Sequence, residues 1–297
     1  MHRSLLAALL LSCAAPALAA QKPVRVYISV DMEGIAGVVS TEQLGPTGFE
    51  YQKAREWMTA ETLAAIAGAR EAGATEFVVS DSHGNGLNLL IDQFPADVRI
   101  VRSWPRPLGM MEGIDSTFDA VLFIGYHAST NNPNGVRAHT FSSAHLASVE
   151  LNGTPMMEAG VNAAIAGRFG VPVVMMSGDD VAIDEVRKQI GDIEGAVVKR
   201  AISFHAANTM TPAAAQALVH AKAKAGVARR ASLKPFVVKA PVRLEITFKN
   251  YRPAEVLAYL PNVQRITSHT IRIMAKDMIE VSKFIEFIDN YDPNMTP

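Results

Sequence analysis

A chain of 297 residues, 49 % of them hydrophobic and 19 % charged, is long enough for one large domain with an appendage or for two domains. Its 28 basic and 29 acidic residues nearly cancel, to a formal charge of −1, and no long basic run occurs, so nucleic acid is excluded as the expected partner. A single cysteine excludes a disulfide framework.

The first nineteen residues read as a signal peptide. Arg3 gives a short basic start, Leu5 to Leu11 an apolar run too short to stay in a bilayer, and Ala17-Leu18-Ala19 a cleavage signal. The mature chain is expected to begin near Ala20 and to be exported, most simply to a periplasm. The lone cysteine, Cys13, follows Leu-Leu-Ser in a loose likeness of a lipidation signal. Leu11 is unusual in that pattern and an A-x-A site follows, so the lipoprotein is the alternative rather than the expectation. No later apolar run is long enough to span a membrane.

Beyond the leader, short β-branched runs alternate with Ala-rich helical ones. Val24–Val30 reads as a strand, Tyr51–Ala72 as a long helix stopped by Gly73, and Glu76–Ser80, Val98–Val101 and Ala120–Tyr126 as further strands. Leu146–Leu151 alternates as a half-buried strand and ends in the turn signal Asn152-Gly153. A helix is expected from about Met156 to Arg168, a strand over Val171–Met176, and a polar helix capped by Asp179 and Asp180. This alternation predicts an α/β fold, a mostly parallel sheet flanked by helices on both faces. After about Arg200 the pattern changes to a helix over Pro212–Arg230, a linker over Ala231–Pro235, and one or two strands in PFVVKAPVRLEITF. A short helix over Val256–Leu260, a strand over Ser268–Met274 and a closing helix from Lys276 to Asp289 complete it. The expected division is a metal-binding α/β part, residues 20–205, and a smaller C-terminal α+β region, residues 206–297.

Three of the strands end in metal-ligating residue types. VYISV runs into Asp31 and Glu33, EFVVS into Asp81-Ser82-His83, and VLFIGY into His127. In an open parallel sheet the carboxyl ends lie along one edge, where ligands bind. Asp31 and Glu33 have no basic neighbour in the sequence, and two carboxylates with two histidines suit a first-row cation, Zn²⁺ best. Any one of these residues has an ordinary explanation. A single strand-end Asp usually caps a loop, and a lone His is usually surface or hydrogen-bonded core. Their coincidence at three strand ends argues for the metal.

SVDMEG, SDSH, GYHA, a histidine twelve residues later and a Glu-containing helix start resemble the D-aminopeptidase family of metallopeptidases, M55. FKNYRPAEV and AKDM extend the likeness towards the end of the chain. The resemblance implies two zinc ions per chain bridged by Asp31. It assigns Glu33 and His127 to one ion, His83 and Glu158 (in LNGTPMMEAGVNA) to the other, and a catalytic role to His139 (in GVRAHTF). Glu158 carries no signal of its own and would pass as a first-turn glutamate. Beside two metals, a proton-transfer role suits His139 better than a nucleophilic one. Asp81 is expected either to orient a ligand or to cap the turn before His83, and His145 to be structural. His205, His220 and His269 match no motif. The loop ASTNNPNGVRA departs from the family pattern by about one residue and is expected to line the substrate pocket.

The implied activity is hydrolysis of short peptides carrying an N-terminal D-residue of the D-Ala or D-Ser type, in a ring-like homo-oligomer, a decamer by resemblance. Another dinuclear amidohydrolase or esterase, or an exported binding protein without turnover, are the rival readings.

Overall fold

Val26, Ile28 and Val30 alternate with Tyr27 and Ser29 along the first strand, and all five are fully buried. A strand buried on both faces must be sandwiched between two layers, and the computed structural model, which describes residues 22–292, shows what covers each face. The chain runs β1 (Val24–Val30), α1 (Tyr51–Glu71), β2 (Ala74–Asp81), β3 (Val98–Val101) and β4 (Ala120–Ile124). It continues through β5 (Leu146–Leu151), β6 (Thr154–Pro155), α2 (Glu158–Arg168), β7 (Val173–Asp179), α3 (Asp180–Ile190), β8 (Glu194–Ser203), β9 (Ala206–Thr209) and α4 (Pro212–Ala228). The remainder is β10 (Val242–Phe248), α5 (Tyr251–Leu257), β11 (Gln264–Arg265), β12 (Thr270–Ala275) and α6 (Met278–Asn290).

Seven strands form the main sheet in the order β3-β2-β1-β4-β7-β8-β9, all parallel except β9, which returns antiparallel to β8. Val26, Ile28 and Val30 pack under α1 and α4, whose Met58, Ile66, Val219 and Val227 complete that layer. Tyr27, Val121 and Phe123 face the other way, into a core shared with α2, α3 and α6. The fold is therefore the α/β arrangement expected, with helices on both faces. The chain steps outward from β1 through β2 to β3 and then returns to the far side of β1 as β4. This reversal creates a crevice at the carboxyl ends of β1 and β4.

A second sheet, β11-β12-β10-β5-β6, is antiparallel throughout. Its membership does not follow the expected boundary at 205/206. β5 leaves the first part of the chain to pair with β10 and carries β6 on its other side, while β9 and α4, beyond the boundary, belong to the main sheet and its helical layer. The alternation that marks Leu146–Leu151 as a strand is silent about its partner, and Val149 and Leu151 pair across the ladder with Ile246 and Leu244 of β10. β8 and β9 are strands the sequence pattern does not predict, because the buried Lys199 interrupts the apolar run of β8. PFVVKAPVRLEITF yields one strand, β10. Asp179 caps α3 as expected, its Oδ1 accepting the Ala182 N–H at 2.9 Å.

The predicted leader, including Cys13, lies outside the described residues. Among those described, no helix is long and apolar enough to cross a membrane.

Candidate metal centre

Backbone hydrogen bonds tie the three strand ends together before any side chain is considered. Asp31 N–H donates to Ile124 O (2.8 Å), Ser82 N–H to Val30 O (2.8 Å) and Gly34 N–H to Gly125 O (2.7 Å). The last contact needs glycine. A Cβ on Gly34 would lie 2.1 Å from Tyr126 O, and Gly125, at φ +71°, would put one 2.3 Å from Asp31 O. The loops after β1 and β4 can thus lie against each other, and the side chains of Asp31, Glu33, His83 and His127 converge in the crevice. Glu158 joins them from the first residue of α2, its Oε1 fixed by the Phe141 N–H at 2.7 Å.

The convergence forms two groups that meet at Asp31. His83 Nδ1 lies 2.9 Å from Glu33 Oε2 and 3.2 Å from Asp31 Oδ1. His127 Nε2 lies 3.2 Å from Asp31 Oδ2 and 3.4 Å from Glu158 Oε2. His139 Nε2 is 3.7 Å from Glu158 Oε1, and its ring stacks on that of His127 with centroids 4.1 Å apart. Asp31, Glu33 and His83 make one cluster of ligand atoms, and His127, His139 and Glu158 the other. All six predicted site residues are brought together. Glu33 sits with His83, and Glu158 with His127, whereas the resemblance implies Glu33 with His127 and Glu158 with His83. β2 and β4 flank β1 on opposite sides, so each histidine reaches Asp31 from its own side and meets the carboxylate that lies there.

The second nitrogen of each histidine settles what the first one offers. His83 Nε2 is 2.8 Å from Leu44 O, His127 Nδ1 3.0 Å from Ala128 O and His139 Nδ1 2.8 Å from Arg137 O. A carbonyl oxygen only accepts, so those nitrogens carry hydrogen and each neutral ring turns a lone pair towards the carboxylates. Lone pairs facing carboxylates at these distances repel unless a proton or a cation lies between them. Asp31 Oδ2, Glu33 Oε2 and His127 Nε2 are buried without a hydrogen-bond partner, as a cation site requires. Ligand atoms held about 2.0–2.2 Å from a tetrahedral ion stand roughly 3.3–3.6 Å apart, close to the separations seen here. Without a cation the charges balance by proton uptake. Burial opposes a charge on His83 and His127, but Glu33 beside the first and Glu158 beside the second push both well up. Burial, then the Glu33 charge, raises Asp31. Burial also resists ionisation of Glu33, yet His83 outweighs it and holds that carboxyl well below the usual range.

The sequence profile of the D-aminopeptidase family peptidase M55 matches residues 24–287. The chain belongs to the M55 family. A D-aminopeptidase of Bacillus subtilis (strain 168) is 35 % identical over 259 residues, which cover 86 % of this chain and 93 % of that protein. A solved structure, described as the Zn-dependent D-aminopeptidase DppA from Bacillus subtilis, a self-compartmentalizing protease, superposes with a TM-score of 0.86 at 33 % identity. That match covers 89 % of this chain and 96 % of the other.

Other residues of this M55 chain hold the centre in place. Asp81 caps the loop after His83, and among the described residues its carboxylate hydrogen-bonds Asn88 and Leu89 rather than a ligand side chain. Its Oδ2 accepts the N–H groups of Asn88 (2.6 Å) and Leu89 (2.7 Å), and Asn88 Nδ2 then donates to His83 O (2.6 Å). Arg106, stacked 4.0 Å over Trp104, donates to Asp81 O and Ser80 Oγ. Lys199, buried in β8, donates to the carbonyl oxygens of Glu33, Ile35 and Val38 and so grips the loop that presents Glu33. A lysine in an unrecognised strand gave no sequence signal for this role.

The loop from Ala128 to Ala138 does not line the cavity. It turns onto α3, where Asn132 Nδ2 and the Ser129 N–H donate to Glu185 Oε2. The cavity over the centre, about 380 Å³, is walled by Trp104, Met110, Phe141, His145 and α6 residues including Glu286 and Asp289. His145 is thus an exposed cavity residue and not a structural one. His205 is exposed, His220 pairs with Glu71 (3.1 Å) and His269 with Ser268 (2.8 Å), so none of them joins the site.

Glu61 of α1 supports the same loop through Ala36 N–H (2.9 Å) and makes a pH effect testable. Burial pushes its carboxyl up to about 7 from an ordinary 4.5. The folded state keeps a proton that the unfolded chain loses, so this contribution is complete below 4.5 and disappears as pH rises through about 7. Melts of metal-free protein are expected to lose about 3 kcal/mol from this group across that window. Glu61→Gln, which retains an acceptor for Ala36, is expected to flatten the decline. An unchanged slope would assign it to other groups.

Proposed function

We propose that this M55 chain is an exported aminopeptidase that binds two zinc ions and hydrolyses short peptides with an N-terminal D-residue. The observation that carries the reading is Asp31, a buried carboxylate whose two oxygens face two histidines in two separate ligand groups. Asp31, Glu33 and His83 would hold one ion, and Asp31, His127 and Glu158 the other. Zinc bound there would supply Lewis acidity, lowering the pKa of water and polarising the scissile carbonyl.

The chain's own residues do the rest. His139 is fixed through Nδ1 by Arg137 O, which leaves Nε2 facing the cavity as the atom that takes a proton from the attacking water and returns it to the leaving amine. Stacking on His127 holds its ring in one plane. Phe141, Trp104 and Met110 give the cavity its apolar wall.

The name of the Bacillus subtilis relative supports the D-residue, and the self-compartmentalizing description of the solved structure supports assembly into a homo-oligomer. Phe49, Ile202 and Val237, 84 %, 71 % and 68 % exposed, add apolar surface consistent with assembly. Export follows from the leader, and the mature N-terminus is expected near Ala20.

The test is elemental analysis of the purified protein alongside hydrolysis of D-Ala-D-Ala and L-Ala-L-Ala. The expected result is two zinc per chain and cleavage of the D-peptide. Equal or faster cleavage of the L-peptide would overturn the stereochemical reading, and two zinc without peptide cleavage would move the substrate to another amide or ester.

A further inference from the structure

Asp289 is the residue in the cavity wall with no settled occupation. Its neighbour Glu286 accepts from Asn290 Nδ2 (3.2 Å) and from the backbone N–H of Arg106. Asp289 has no hydrogen-bond or ion-pair partner among the described residues, and no lysine or arginine lines the cavity on either side of it. Its side chain is solvent-accessible at the end of α6, and the protein packed around it together with the Glu158 charge pushes its carboxyl up to about 7.

Asp289 also stands at a junction. With His145 it borders a second cavity of about 460 Å³, walled by apolar residues of the second sheet, α5 and α6, among them Phe248, Pro253, Leu257, Leu260 and Phe287. The two cavities share these two residues, so the apolar one lies immediately beside the space over the metal centre.

An N-terminal residue carries three substituents on one Cα: the ammonium, the side chain and the scissile carbonyl. Placing the carbonyl over the Asp31 centre leaves the ammonium and side chain to diverge within a few ångströms of it. A free carboxylate beside an apolar cavity matches that pair. We infer that Asp289 anchors the substrate's α-ammonium and that the adjoining cavity holds the side chain of the N-terminal residue, so that the enzyme accepts bulky apolar residues there as well as alanine. This rests on the aminopeptidase reading above and extends it to a substrate class: short peptides with a large apolar N-terminal residue.

The experiment compares kcat and KM for D-Phe-D-Ala and D-Ala-D-Ala in the zinc-loaded full chain, with zinc content and assembly size measured for each variant. The wild type is expected to cleave D-Phe-D-Ala at least as efficiently as D-Ala-D-Ala. Asp289→Asn is expected to raise KM for both peptides about tenfold or more, with kcat changed far less and zinc unchanged, because it removes a ground-state charge contact. Leu260→Glu, at a partly exposed position, is expected to lower the D-Phe to D-Ala ratio of kcat/KM by about tenfold or more. An unmoved KM in Asp289→Asn overturns the anchor. A change of assembly size without a change of ratio in Leu260→Glu makes the apolar cavity a contact between copies, and also overturns the proposal. If the zinc-loaded wild type cleaves neither peptide, the aminopeptidase reading fails and this one with it. Cleavage with neither variant responding overturns the subsite alone.

Discussion

Replacing His139 with alanine is expected to lower turnover of a D-dipeptide by about 10²–10⁴-fold, the usual effect of removing a positioned acid–base group, while zinc content stays at its wild-type value. The geometry gives the reason for the split. Among the site carboxylates His139 has an ion-pair contact with Glu158 alone, at 3.7 Å, and Glu158 is held independently by the Phe141 N–H. His83 and His127 each lie at 2.9–3.4 Å from two carboxylates and together present both faces of Asp31. Deleting the third ring therefore leaves two complete ligand sets. It removes Nε2 of a ring that lines the cavity and whose tautomer is fixed by the contact of Nδ1 with Arg137 O. Elemental analysis beside single-turnover rates checks the prediction. Zinc falling by one ion per chain would make His139 a ligand, which its place in the His127–Glu158 cluster leaves open geometrically. A fully active variant would leave the reaction without its proposed proton carrier.

Asp31→Asn is expected to empty the centre. Asparagine has nearly the same shape but offers one acceptor and one donor face, so one histidine lone pair or the other loses its cation and both groups lose a shared negative charge. Because Oδ1 serves the His83 side and Oδ2 the His127 side, the loss should reach both ions, unlike a change at Glu33 or Glu158. Purified Asp31→Asn is expected to hold less than about one zinc per chain and to show background activity. Zinc in thousandfold excess over its dissociation constant stabilises a one-site protein by about 4 kcal/mol, so the wild-type melting temperature should rise sharply on zinc addition and that of the variant should barely move. A variant that still binds two zinc ions would end the bridging role of Asp31.

Asp31, Glu33, His83 and His127 could be read from the sequence because each follows an apolar run whose period is local and visible. Glu158 could not, since a glutamate in the first turn of a helix is ordinary, and only likeness to the family picked it out. Lys199 was hidden twice over, in a strand its own charge disguised and in a contact with carbonyl oxygens more than 160 residues earlier in the chain. In the sequence, Asp289 is only the last residue of the closing helix and His145 a structural residue beside a strand. They are cavity residues only because α6 and the segment before β5 wall the space over the centre.

By itself, the sequence determined that strands and helices alternate, that three strands end in metal-ligating residue types, and that these ends share one edge of a parallel sheet. Those features depend on residue spacing within single segments and on a general property of such sheets. The tertiary structure alone decided which residues pair. β1 lies between β2 and β4, so Asp31 is flanked by His83 on one side and His127 on the other, with Glu33 and Glu158 divided accordingly. Strand order depends on contacts between segments far apart in the chain, and no local period encodes it.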